Sequence, residues 1–127
     1  MTYKNHVKTV LKIIAAITII SGLVQAVNPA LVLYIIDGAA TPASTHFFGI
    51  VGLFMVLFGG LLYHALGATR HQPVAVFWCG FQKFGAAAAV GLGVSRDIFS
   101  WLALGVAGFD LVSGFLIMIY WYSIKER

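Results

Sequence analysis

The sequence predicts an all-α integral membrane protein, a four-helix bundle with both termini in the cytoplasm. Three observations predict it. Charged residues make up 9% of the chain, against about 25% in soluble domains. Four apolar runs are each long enough to cross a hydrocarbon core of about 30 Å. The basic residues gather on alternate connections, the pattern that sets orientation in a bilayer. A chain of 127 residues has room for at most about four or five crossings with short loops, so residues 1–127 are expected to form a single transmembrane domain. At 61% hydrophobic residues and a mean hydropathy of +0.95, the runs show none of the alternating polarity of β-barrel strands.

The first segment covers residues 10–27, preceded or opened by Lys4, Lys8 and Lys12. Its basic start, apolar run and "VQA" ending also fit a cleavable signal sequence, but the segment is expected to stay as a helix. Asn28-Pro29 has the form of an N-cap followed by proline at the first helical position. Residues 30–36 are therefore read either as a short interfacial helix or as the far limb of one proline-kinked helix. "DGAATPAS" (37–44) reads as a loop, residues 45–66 as the second segment, and "GATRHQ" (67–72) as its connection to a third segment starting at Pro73 and ending near 94. "SRDIF" then leads to Ser100, a natural N-cap for the fourth segment at 101–122.

Arg70 lies between segments two and three, and Lys125 and Arg127 follow segment four. The 1–2 connection carries no lysine or arginine, and the 3–4 connection has Arg96 with Asp97 beside it. The termini and the Arg70 loop are thus expected on the cytoplasmic side. Trp101, Tyr120, Trp121 and Tyr122 near helix ends fit an aromatic belt. "KIIAAITIISG" from Lys12 faintly echoes "KFGAAAAVGLG" from Lys83, a match too short to establish a repeat.

"GFQKFGAAAAVGLG" (80–93) places Lys83 inside an apolar run. At the helical rise it lies about 15 Å from Pro73, and Asp110, on a helix running the other way, lies about 15 Å from Ser100. The two share a depth near the midplane. A lone charge there costs at least about 2.5–3.5 kcal/mol, so Lys83 and Asp110 are expected to pair. Cys79, Gly80, Ala86 and Ala87 surround Lys83 on its helix, and Ala103, Ala107, Ser113 and Gly114 share the face of Asp110, all small enough for close helix contact. Thr18, Ser21 and Gln25 form a polar stripe on the first helix and, with Gln82 and Ser113, are candidates to line a polar cavity around the pair. Gly49, Gly52, Gly59 and Gly60, with Gly80, Ala87, Gly91 and Gly114, are expected as helix-packing positions. The pair has two readings, a fixer of helix order and register or a proton or ligand site, and the sequence favours the first.

Other chemistry finds little support. His46 and His64 are separated by about 27 Å along one helix and cannot share a ligand. His6, His64 and His71 all belong to the cytoplasmic side, which leaves His46 without a partner for haem, and interfacial histidines are mostly solvated. No metal and no cofactor are expected. Cys79 has no second thiol to pair with and reads as a packing residue. No nucleophile elbow, HExxH, CxxC or paired-carboxylate pattern is present, so an enzyme is not expected. The formal net charge of +4 belongs to topology and does not suggest nucleic acid, because the basic residues flank apolar segments.

"HFFGIVGLFMVLFGG", "FQKFGAAAAVGLG" and "GFDLVSGFLIMIYWY" resemble an uncharacterised family of small four-helix bacterial inner-membrane proteins. That family has a Gly-rich second helix, a lysine in the third and an Asp-Leu pair in the fourth, and the likeness covers most of the chain from His46 onward. It implies a multi-pass protein of the bacterial inner membrane in which Lys83 and Asp110 are defining positions, and it brings no activity or substrate. In general layout the chain is distantly similar to DoxX-like proteins. Small multidrug transporters also have four helices, but their essential acid lies in the first, where this chain has none. The leading expectation is a non-enzymatic accessory or scaffold protein that contacts a second copy or a larger membrane complex within the lipid bilayer. The alternative is a small carrier or binding protein for an amphiphile or a proton-coupled solute at the Lys83–Asp110 site.

Overall fold

In the computed structural model, which describes residues 3–125, the chain is all-helical. Its elements are α1 (Tyr3–Val27), α2 (Pro29–Ile35), α3 (Pro42–Gly67), α4 (Pro73–Ser95) and α5 (Ala103–Ile124). The four longer helices are long and apolar enough to span a membrane. Arg127, counted among the basic residues after the last helix, lies outside the described residues.

Local chemistry accounts for where the helices begin and end. α1 starts at Tyr3 rather than near residue 10, because nothing in the lysine-bearing stretch interrupts it. The Asn28 side chain accepts a hydrogen bond from the Leu31 amide and Pro29 takes the first helical position, so α2 is a separate helix and not a kinked continuation. α3 starts at Pro42, three residues before the expected 45, because Thr41 and Ser44 form a reciprocal capping box. Ser100 is not the side-chain cap of α5. Its carbonyl accepts from the Ala103 amide in a tight turn, α5 begins at Ala103, and the buried Ser100 hydroxyl has no hydrogen-bond partner among the described residues. α2 and α4 both end in a left-handed aspartate, Asp37 at φ 60° and Asp97 at φ 57°. In each case the following amide reaches back to the helix, Gly38 to the Leu33 carbonyl at 2.8 Å and Ile98 to that of Gly93 at 2.9 Å, which satisfies carbonyls at the helix end.

The helices associate as two sequential pairs, α1 with α3 and α4 with α5, joined mainly through α3 and α4. Glycine brings the first pair into backbone contact. A methyl group on Gly52 would lie 2.6 Å from the Ala26 nitrogen, and one on Gly22 2.7 Å from the Gly52 carbonyl oxygen. Gly59 similarly abuts Ile19 and the Ala15 carbonyl. The second pair interlocks differently, with Met118 seated on Gly80 and the Phe84 ring on Gly114. Gly49 stands at ordinary contact distance from Pro29, and Ala87 is half-buried. Gly60 and Gly91, expected at packing positions, have nothing within 4 Å of an added methyl and face outward. Gly22 and Gly93, not anticipated, do pack, the latter under the Phe99 ring.

One cluster gathers Leu11, Leu62, Leu66, Val76, Ile117 and Ile124 from all four long helices at the end where α1 begins and α5 finishes. Lys4 Nζ donates to the Ser123 carbonyl at 3.2 Å across that end. Tyr120, expected in an aromatic belt, is 4% exposed and belongs to this core, while Trp101 and Tyr122 are exposed. Cys79 is buried in the same cluster, its Sγ 3.8 Å from the Phe58 carbonyl.

The glycine contacts generate a paired test. Gly52→Ala forces a methyl into backbone atoms and should destabilise by about 1–3 kcal/mol, whereas Gly60→Ala, in open space, should be neutral or slightly stabilising. Thermal unfolding in detergent distinguishes them, and equal shifts for the two variants would show that α1 and α3 do not approach as described.

Candidate functional site

Lys83 projects from the middle of α4, where it is 4% exposed. An ammonium group in such surroundings must replace the water it has lost with acceptors. Lys83 Nζ donates to Asp110 Oδ1 at 3.2 Å and to Thr18 Oγ1 at 2.6 Å. The Phe109 ring centre lies 5.3 Å away and adds the attraction of a cation to an aromatic face. Thr18 in turn donates to the Ile14 carbonyl one turn back at 2.9 Å. α1, α4 and α5 are therefore tied at one level, and the tie crosses from one helix pair to the other.

The expected partnership of Lys83 and Asp110 is present as a buried salt bridge. The remaining polar candidates divide. Thr18 and Gln25 are buried, and Gln25 is fixed by a bond from its Nε2 to the Phe48 carbonyl at 3.0 Å. Gln82 is half-buried beside the pair. Ser21 is exposed and stands at the mouth of a cleft. Ser113 is 1% exposed in the packed interior and lines no cavity found around the pair.

On the side of the pair away from the terminal core, the helices enclose a chamber of ≈ 250 Å³. Lys83, Asp110, Thr18, Gln25 and Gln82 supply its polar groups. Aromatic and aliphatic side chains of α3 form much of its apolar wall, with Ala86, Ala89 and Val90 of α4 and Ala103 and Val106 of α5. Val32 and Ile36 at α2 and Phe99 in the 4–5 connection also line it. The Ser100 amide donates to the Ile36 carbonyl at 2.7 Å, which holds that connection against α2. A second, more open cleft of ≈ 480 Å³ lies between α1 and α5 and reaches the same Lys83 and Asp110. The chamber far exceeds the ~10–15 Å³ that a single water needs. A mostly apolar space with a few convergent polar groups is the usual form of a small-molecule site.

The histidines take no part. His46, His64 and His71 are exposed, and among the described residues no group of three metal-ligating side chains comes together. The sequence reading did not anticipate the parts taken by Phe99, Phe109 and α2. Only the cap signal at Asn28-Pro29 pointed to α2 as a separate element.

Comparison with protein-family models, with curated proteins and with solved structures finds no match for the chain.

The triad makes a signed prediction. Lys83→Met or Asp110→Leu alone strands a buried charge and should cost about 3–5 kcal/mol, while the double substitution should recover most of that loss. Thr18→Val keeps the shape but removes one acceptor from a charged donor, and should cost about 1.5–3 kcal/mol. In the double variant Thr18→Val should cost much less, because no ammonium remains to be satisfied. Thermal stability in detergent reads all of these, and strict additivity across the cycle would show that the three groups do not act together.

Proposed function

We propose that the chain is a small binding protein or carrier of the bacterial inner membrane, and that it takes a neutral amphiphile at Lys83 and Asp110. One observation carries this reading: the chamber reaches the ion pair, so the centre of the protein is not filled by its own side chains. A pair serving only to fix helix order needs no space beside it.

The electrostatics of the site support a neutral head group. The pair is internally balanced, and a charged head would draw one member off its partner and leave the other stranded, at about 3–5 kcal/mol. A hydroxyl or amide head instead both donates and accepts. It can hydrogen-bond to Asp110, Gln25 or Gln82 without separating the charges.

An accessory or scaffold role, with four helices closing as a bundle against a second copy or a larger complex, is the second reading. It is favoured by Gly60, Gly85, Gly91 and Gly108, which have nothing within 4 Å of an added methyl and would let another helix come close. Native mass spectrometry of the full chain in nanodiscs, with dodecanol as probe, reads both properties. Binding predicts saturable one-to-one adducts that disappear in Ala86→Phe, which fills the chamber while the melting temperature is kept. Adducts unchanged by Ala86→Phe would overturn the binding reading. Defined oligomers without adducts would favour the scaffold.

For orientation, the lysines on α1, with Arg70 and Lys125, support termini that face the cytoplasm. A reporter fused after the last helix should be active only as a cytoplasmic reporter, and alkaline phosphatase activity from that fusion would reverse the assignment.

A further inference from the structure

We propose that the amphiphile reaches the Lys83–Asp110 site sideways, from the hydrocarbon core of the membrane through the cleft between α1 and α5, and leaves its tail in that cleft when bound. The inference rests on the binding reading above and adds the route and the form of the ligand.

Size limits what the chamber can hold. At ≈ 250 Å³ the chamber is smaller than the ~300–1,000 Å³ that encloses a drug-sized ligand, so it holds a head group and the first few carbons only. The rest of the chain must leave the protein somewhere. The cleft of ≈ 480 Å³ offers that exit, because chamber and cleft share Thr18, Gln25, Val32, Lys83, Val106 and Asp110 as common walls.

α1 and α5 also diverge along their length. They touch only sparingly, and they meet at the terminal end, where Lys4 reaches the Ser123 carbonyl. Further along, the cleft between them is edged by Ile17, Ile20 and Val24 on one side and Val106 on the other, all between 43% and 63% exposed. In a bilayer these apolar rims face acyl chains, the medium a hydrocarbon tail prefers. Two of the other ways out are obstructed. Phe99 is wedged against Gly93 and near Gly38, and α1 and α3 are in backbone contact through Gly22 and Gly52. Polar groups line only the inner end of the cleft apart from Ser21, so the cleft guides a head group inward and leaves the tail in its outer, apolar part.

The test uses the full chain in nanodiscs. A dodecanol carrying a diazirine at the far end of its chain should, on photolysis, label peptides of α1 and α5 at the cleft. Labels confined to α3, α4 or the α2 region would overturn the route. As a kinetic check, Ser21→Cys with Val106→Cys is bridged across the cleft by a cleavable dithiol-reactive linker, the native Cys79 being buried. Bridging should slow both uptake and release of tritiated dodecanol by at least about tenfold, and cleaving the linker should restore both. Exchange that ignores the bridge refutes the lateral route while leaving the site intact. Absence of any saturable binding in the unmodified protein refutes the site itself.

Discussion

A primary ammonium group buried among apolar helices sets the terms for the rest of this molecule. Lys83 cannot reach an aqueous surface from the middle of α4, so the chain supplies a carboxylate from α5, a hydroxyl from α1 and an aromatic face, all within a short radius. Each of those groups has to be held still. Asp110 is held by the interlocking of α4 with α5 through Gly80 and Gly114, and Thr18 by the backbone-to-backbone approach of α1 and α3 at Gly22 and Gly52. The glycine seams, which look like simple packing, fix the geometry in which a buried charge is tolerated.

The same constraint divides the molecule along its length. Toward the terminal end the four long helices share a dry cluster of leucine, isoleucine and valine, with Tyr120 and Cys79 included. Toward the other end the space between them is left open beside the pair, and α2 and Phe99 are laid over it. A solid half anchors the helices, so the open half need not be held together by its own packing.

The sequence carried the fold and the ion pair well, and the reasons are physical. Apolar length marks a membrane-length helix with little ambiguity, and a fixed rise converts position into depth, so two opposite charges at one depth leave few alternatives to pairing. Other features have no such signature. Neighbouring residues on a helix point about 100° apart, and nothing local tells which of Gly59 and Gly60 meets α1. Tyr120 and Tyr122 sit equally close to a helix end, and only the face each occupies puts one in the core and the other outside. Thr18 bonds its own helix as many buried threonines do, which conceals its second bond to Lys83. The capping box that advances α3 to Pro42 uses serine where glutamate or glutamine is usual, and so reads as loop. The chamber arises where helices diverge, a property of the assembled set that no single segment encodes.

The pairing of the helices in chain order bears on how the protein is made. Lys83 and Asp110 are 27 positions apart and belong to one sequential pair, so the lysine finds its counterpart on the very next helix in the chain. The lysine waits for a single hairpin to close and not for the whole protein. Thr18, on a helix already in place by then, can add its hydroxyl when the two hairpins come together. In a chain inserted as it is made, this order would let the charge be neutralised before the two halves join, so that the lysine stands unpaired only over the 27 positions that separate it from Asp110.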